Sequence, residues 1–267
     1  MRVALVTGAS SGIGEACAVR LARNGWRVLA GIRRAGDAPP GTEEVLLDVT
    51  DPAQIEAAAG GVEELHGLVN NAGIALAVPL EFVPPEELRR QLEVNVVGQV
   101  AVTQALLPQL RRARGRVVFV GSVAGRSALP FLGPYAASKH ALEAVADSLR
   151  LELKPFGIEV TIVEPGTVKT PIWTKSAAVA DELRERLPAA LGELYGARIE
   201  AFRRIALARG RSGASADEVA RAVEAALTAR RPRTRVLVGR DAKLRARLER
   251  LPDRLRDRLY ERVLLRS

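Results

Sequence analysis

The stretch VTGASSGIGEA, residues 6–16, sets three glycines, Gly8, Gly12 and Gly14, between the apolar run VALVT (3–7) and the amphipathic run GEACAVRLARN (14–24). Glycine within a helix costs about 1 kcal/mol relative to alanine, so its repeated use implies a backbone that something approaches closely. A strand, a glycine-rich turn and a helix in that order leave backbone N–H groups unpaired at the helix N-terminus. Those donors and the helix dipole stabilise a pyrophosphate. In this reading Gly8 permits the turn, Gly12 the approach of phosphate and Gly14 the packing of helix on strand. An ordinary glycine turn is the plainer alternative, and the flanking strand and helix weigh against it.

Outward from that turn, short β-branched runs alternate with longer amphipathic ones. The former are WRVLAGI (26–32), EVLLDV (44–49), GLVNNAG (67–73), GRVVFVGS (115–122), GIEVTIVEPG (157–166) and TRVLV (234–238). The latter lie near 12–24, 52–59, 85–113, 135–155 and 217–230. Nearly continuous apolar strands spaced by helices predict a parallel sheet covered on both faces. The fold class is therefore α/β, a single doubly wound domain over residues 1–267 with a seven-stranded parallel sheet. Ligands of such sheets sit beyond the carboxyl ends of the strands. Residues 167–210 are too long for a simple connection and read as a lid with short helices.

A dinucleotide fold shows its choice of adenosine ribose about 20 residues past the glycine turn, an acid for a free 2′-hydroxyl and a base for a 2′-phosphate. Here Gly31 stands where an acid would, and Arg33 and Arg34 follow. That favours NADP(H), with solvated loop charges as the alternative. Asp48 is a candidate acceptor for the adenine amino group, or else a strand-end turn residue.

YAASK at 135–139 puts Tyr135 and Lys139 four residues apart, on one face if the segment is helical. A tyrosine with a pKa near 10 is a poor acid or base at neutral pH, and a neighbouring ammonium lowers that value by favouring the phenolate. Ser122, ending the strand VVFVGS, is placed to hydrogen-bond a substrate oxygen in the same crevice.

TGASSGIG, NNAG, Asn95, Ser122 and YAASK, in that order and at these separations, closely resemble the short-chain dehydrogenase/reductase family over almost the whole chain. LHGLVNNAG, PFLGPYAASKHALEA and EPGTVKTPIW are most similar to its steroid, retinol and hydroxybutyrate branch. The resemblance implies a Rossmann fold and reversible hydride transfer between a nicotinamide and a carbonyl or alcohol carbon. It implies a catalytic set of Ser122, Tyr135 and Lys139, with Asn95 completing a proton relay. It also implies cofactor contacts from Gly8, Ser10, Ser11, Gly12, Ile13 and Gly14 in the turn, and from Asp48 and Val49 after the third strand. Asn71, Ala72 and Gly73 join them, with Tyr135 and Lys139, and Pro165, Gly166, Val168 and Thr170 lie beside the nicotinamide.

Apolar residues at helical spacings in the lid, Ile172, Trp173, Leu183, Leu187, Leu191, Leu194 and Tyr195, fit a hydrophobic ketone or alcohol, or else lid helices that pack on the body. Substrate contacts are expected from Ser122, Phe131, Tyr135, Ile172 and Trp173. Two separated histidines, His66 and His140, and one cysteine, Cys17, predict no metal site. A lone cysteine and a first strand at Val3 predict a reducing, cytoplasmic setting without a signal peptide.

The formal charge of +9 lies in the tail: residues 230–267 hold 14 of the 40 Lys and Arg but 5 of the 31 Asp and Glu. Leu244, Leu248, Leu251, Leu255, Leu259 and Val263 recur there among arginines, with Pro252 separating two helices in the extension 240–267. Packing of this stripe on the lid or on another subunit is favoured over weak peripheral membrane contact. Nucleic acid is disfavoured because no reading motif accompanies the charge. The family resemblance implies a homodimer or homotetramer built through the helices near 85–113 and 135–155. The leading reading is an NADP(H)-dependent carbonyl reductase or alcohol dehydrogenase acting on a small hydrophobic molecule. A 3-oxoacyl-carrier-protein reductase and a catalytically silent NADP(H) sensor or scaffold are the alternatives.

Overall fold

Alternation of apolar side chains along each strand sorts the core into two layers, one on either face of a single parallel sheet. The strands are β1 (Val3–Thr7), β2 (Arg27–Ile32), β3 (Glu43–Leu46), β4 (Gly67–Asn70), β5 (Arg116–Val120), β6 (Glu159–Pro165) and β7 (Arg235–Val238), in the order β3-β2-β1-β4-β5-β6-β7. Ala4 and Val6 of β1 face one layer and Leu5 between them faces the other. The first layer is closed by α1 (Gly12–Arg23) and α8 (Ala216–Thr228), through Leu21, Val219 and Val223. The second is closed by α2 (Pro52–Gly60), α4 (Gly98–Ala113) and α5 (Gly133–Glu152), through Ile55, Leu106 and Leu142. Each leucine buried this way contributes about 1.5–3 kcal/mol. The computed structural model describes residues 1–186 and 188–265, except the side chains of 173, 175, 180, 184–186, 209, 211, 264 and 265.

The chain leaves β1 for β2 and β3, then returns to place β4 on the other side of β1. Val6 therefore sits between Ala30 of β2 and Val69 of β4. At this switch of direction the loops leaving β1 and β4 part, and a crevice opens beyond the strands' carboxyl ends.

Two expectations change in detail. The single helix expected over 85–113 is α3 (Pro85–Leu92), a wider π-helical turn at Glu93–Val97, and then α4. The lid expected as short helices over 167–210 is two long ones, α6 (Ile172–Arg186) and α7 (Ala190–Ser212). Their apolar faces propagate further than the loop-like composition suggests, because they close on each other and on the 76–83 segment. The tail breaks at Pro252 into α9 (Arg240–Leu248) and α10 (Asp253–Tyr260). Its leucine stripe is covered only in part, since Leu244, Leu255 and Val263 stay largely exposed while Ala242 is buried. Cys17 packs inside the first layer, where burial pushes its thiol up to about 12 and leaves it inert as a nucleophile.

Candidate active site

The glycine turn has the backbone that its sequence demands. Gly8 and Gly12 both lie at φ +64°, a left-handed conformation that disfavours any side chain. Gly14 is constrained by space, because a Cβ there would stand 2.2 Å from the Gly8 carbonyl oxygen and 2.5 Å from Asn71 Nδ2. Ser11 precedes α1 in an extended conformation, and its hydroxyl caps none of the helix's first N–H groups. The opening turn of α1 thus presents uncapped donors toward the crevice. Thr7 and Asn71 stitch its rims together: Thr7 Oγ1 accepts from the N–H groups of Asn71 and Ala72 at 3.0 Å each. Asn71 Nδ2 donates to the carbonyls of Thr7 (2.9 Å) and Gly8 (3.2 Å).

The resulting cleft has a volume of about 640 Å³. Gly8, Ser10, Ser11, Gly12 and Ile13 line its floor, and Asn71, Ala72 and Gly73 its middle. Pro165, Gly166, Val168, Thr170 and Ile172 form the far wall, and Ser122 and Tyr135 line the same cleft. A Cβ on Gly12 would meet Thr170 Cγ2 at 3.2 Å, so the far wall closes directly over the turn. Beyond β2 and β3 Arg33, Asp48 and Val49 line the cleft, whereas Arg34 stands exposed outside it. Burial raises the Asp48 carboxyl, but hydrogen bonds from the N–H and O–H of Thr50, with the charge of Arg33, outweigh that and hold it below its usual range.

Ser122 leaves β5 in an extended conformation, buried, with its Oγ accepting from Ala124 N–H at 3.1 Å. Tyr135 and Lys139 share a face of α5, and the Lys139 ammonium lies 5.7 Å from the centre of the Tyr135 ring. The structure corrects the expected tuning of the tyrosine. Burial pushes the Tyr135 phenol above its usual range, while the Ser122 hydroxyl and the Arg245 guanidinium pull it back in part. The Lys139 ammonium is 4% exposed and donates one hydrogen bond to the Val120 carbonyl at 2.9 Å. Burial lowers Lys139 to about 8 against the opposing pull of Glu143.

Asn95 is aimed inward by the π-helical turn. Its Oδ1 accepts from Ile74 N–H at 2.8 Å, and its Nδ2 donates to the Ile74 carbonyl (2.9 Å) and to Ser138 Oγ (3.0 Å). Gln91 and Gln99, four residues to either side, hold the same loop through Ile74, Leu76 and Ala72. Three amides at four-residue spacing are a pattern present in the sequence that the motif reading passes over.

The loop from Ser122 to Tyr135 is fixed from two sides by groups far away in the chain. Arg126 pairs with the fully buried Glu164 carboxylate through two hydrogen bonds of 2.6 and 2.9 Å. Arg245 of α9 donates to the Ser127 carbonyl (2.9 Å) and hydroxyl (3.0 Å), which in turn lies 3.0 Å from the Tyr260 hydroxyl. Tyr260 donates to Glu249 at 2.9 Å. The carboxylate of Asp241 accepts from Thr167 N–H at 2.6 Å and fills the space a side chain on Gly166 would take. Thus the tail braces both the loop from Ser122 to Tyr135 and the far wall. Asp241, Arg245, Ser127 and Thr7 were missed in the sequence reading, as were Arg89 and Arg90, which border the cleft.

Beside Glu164 lies Glu143, one turn of α5 beyond Lys139. Burial first, and Glu164 next, raise its carboxyl to about 7 against the pull of Arg235. An acid raised in the folded state holds its proton more tightly folded than unfolded. Its stabilising share is whole below the usual carboxylate range and is lost as pH rises through that raised value. Glu143→Gln is therefore expected to flatten the decline of thermal stability between about pH 5 and pH 8. Melting curves across that range test this, and an unchanged slope in the variant overturns the assignment.

Phe131, expected in the main pocket, lines a separate apolar chamber of about 80 Å³ under the lid. It sits at φ +66° with its ring edge-on to Phe202 (5.5 Å) and Tyr195 (6.3 Å) of α7. Leu183 and Leu191 are buried, and Leu194 is exposed. The side chain of Trp173 and residue Leu187 lie outside the described residues.

The family model for short chain dehydrogenase matches residues 2–180. An NADPH-dependent 3-dehydrocapnine reductase of Ornithobacterium rhinotracheale is 36% identical over 99% of this chain and 98% of its own length. Retinol dehydrogenase 5 of Mus musculus is 40% identical over 90% of this chain and 81% of its own. Among solved structures, a short chain dehydrogenase from Burkholderia cenocepacia J2315 in complex with NADP superposes with a TM-score of 0.75, at 28% identity, over 99% of this chain and 100% of that one. A short chain dehydrogenase/reductase from Burkholderia phymatum in complex with NAD gives 0.79 at 26% identity, over 92% of each chain.

Proposed function

The chain belongs to the short chain dehydrogenase family and is an oxidoreductase, and from that premise we propose that it transfers a hydride between NADP(H) and the carbonyl or secondary alcohol carbon of a hydrophobic substrate. One observation carries the reading: Ser122 and Tyr135, close enough to hydrogen-bond, line the same cleft as the glycine turn. The residues fit the cofactor. Gly8 and Gly12 supply a backbone cradle at φ +64°, and a side chain on Gly14 would collide with it. When bound, the nicotinamide supplies or accepts the hydride.

The chain's own groups handle the oxygen and its proton. In reduction Ser122 orients the carbonyl oxygen, and the Tyr135 O–H donates its proton to that oxygen as the carbon gains the hydride. Lys139, 5.7 Å from the ring centre, stabilises the phenolate that remains. Oxidation runs the same steps backward. The hydrophobic character rests on the apolar chamber next to the cleft, walled by Val78, Phe131, Leu191 and Phe202.

NADP(H) is chosen over NAD(H) because the cleft's adenosine end offers the Arg33 guanidinium and no acid beside Gly31. A charge-assisted bond to the 2′-phosphate is worth about 1.5–3 kcal/mol, so NADPH is expected to bind on the order of tenfold or more tighter than NADH. Arg33→Ala should erase the difference and Arg34→Ala should spare most of it. Fluorescence titration of both cofactors measures this, and equal affinities in the wild type refute the choice. The substrate assignment is tested by following nicotinamide absorbance over a panel of aliphatic ketones, secondary alcohols and 3-oxoacyl thioesters. A preference for the thioesters would replace it.

A further inference from the structure

Ser176, on the first turns of α6, is 4% exposed, and its Oγ has no hydrogen-bond partner among the described residues. A buried hydroxyl left unpaired carries an unrecovered desolvation cost, so such a group in a folded protein calls for a reason. Its position supplies one. Ser176 lines the wall of the large cleft, with Ser122 and Tyr135, and also lines the apolar chamber, with Val78, Phe131 and Phe202. It is the polar residue shared by both cavities, and the outer side of the chamber carries the Arg203–Asp181 ion pair at 3.1 Å. A molecule with its reacting carbon at Tyr135 and an apolar body in the chamber would lie against both cavities that this hydroxyl lines.

We propose that Ser176 is a substrate-recognition residue that hydrogen-bonds a second oxygen of the substrate. The substrate class is accordingly an apolar-chain ketone or secondary alcohol bearing a hydroxyl close to the reacting carbon. This deepens the hydride-transfer reading above and rests on it for where the reacting carbon lies. A site with a buried polar group discriminates against the analogue that cannot satisfy it, whereas an apolar pocket discriminates only weakly. An added hydroxyl ordinarily weakens entry into an apolar cavity, since it must give up water. Here the orphan Oγ reverses that order.

The test uses the full chain saturated with NADPH, titrated calorimetrically with 2-octanol and with 1,2-octanediol. These two differ by one hydroxyl, and neither can be oxidised by the reduced cofactor. The wild type is expected to bind the diol on the order of tenfold tighter, as one additional hydrogen bond allows. Ser176→Ala should bring the ratio to one or below, and Ser176→Thr, which keeps the hydroxyl, should retain a preference for the diol. Ser176→Ala should also melt no lower than the wild type, because nothing in the protein loses a partner. A wild type that favours 2-octanol, binds neither, or keeps its ratio in Ser176→Ala overturns the proposal. Reduction of 1-hydroxy-2-octanone, which keeps the second hydroxyl, measured alongside, reports on the reductase reading separately. No turnover with the diol preference intact removes that reading and leaves the recognition site, and turnover with an unaltered ratio does the reverse.

Discussion

Tyr135→Phe is expected to lose about a hundredfold or more in turnover while binding NADPH as the wild type does, because general acid catalysis contributes roughly 10²–10⁴-fold. The substitution removes only the phenolic O–H. The ring stays between the cleft and Lys139, and the cofactor cradle, built from the β1 turn and the Asn71–Gly73 segment, is untouched. The pH profile carries an independent signature. Burial holds the phenol above its usual range, so Tyr135 keeps its proton throughout the neutral region. Lys139, lowered to about 8, is the first of the pair to change charge as pH rises. The rate of ketone reduction should therefore be flat through neutrality and fall above about pH 8, as the charge that stabilises the phenolate left on Tyr135 is lost. Steady-state rates by nicotinamide absorbance, with NADPH affinity measured in parallel, check both points. Undiminished turnover in Tyr135→Phe would falsify the assigned role.

How far the sequence carries this site depends on how local each cause is. The sheet was legible because strands buried on both faces are nearly continuous apolar runs, and VALVT, VVFVG and VTIVEP are apolar apart from Thr7, Thr161 and Glu164. The cleft residues were legible because they stand at strand ends or in the glycine turn, where chain position alone sets location. Arg34 shows the limit: it neighbours Arg33 in sequence, yet only Arg33 reaches the cleft wall.

Long-range causes were hidden. Nothing near Ser127 foretells that Arg245, 118 residues away, will anchor it, nor does Gly166 announce that the Asp241 carboxylate occupies its missing side chain's place. The shift of Tyr135 was misread for a related reason. The spacing Tyr135–Lys139 reveals a neighbouring charge, but the desolvation that outweighs it comes from the whole surrounding fold. The tail illustrates both. Its charge excess and leucine period suggested an apolar contact or a membrane face. Its observed anchorage is largely polar, through Asp241, Arg245 and Tyr260, with residues 261–265 against α7 of the lid and three apolar side chains of the stripe left exposed.

Gly14→Ala is expected to weaken NADPH binding at least a hundredfold, about 2.8 kcal/mol, and to lower the melting temperature. The new methyl would lie 2.2 Å from the Gly8 carbonyl oxygen, 2.5 Å from Asn71 Nδ2 and 2.9 Å from the Gly8 carbonyl carbon. Two of these atoms are backbone, and the third belongs to the side chain that stitches β1 to β4, so no flexible group can yield. Either α1 moves away from the turn or the turn opens, and each displaces the N–H groups that receive phosphate. Overpacking of this kind costs about 1–3 kcal/mol, and at this chain length each kcal/mol moves the melting temperature by about 2–4 °C. Gly60→Ala is the control, since nothing lies within 4 Å of a Cβ there, and it should leave NADPH binding unchanged. Fluorescence titration and thermal melts of the two variants separate a local clash from a general intolerance of lost glycine. A Gly14→Ala protein with wild-type affinity and melting temperature would show that the cradle adjusts, and that close packing of α1 on the turn is not what forms the phosphate site.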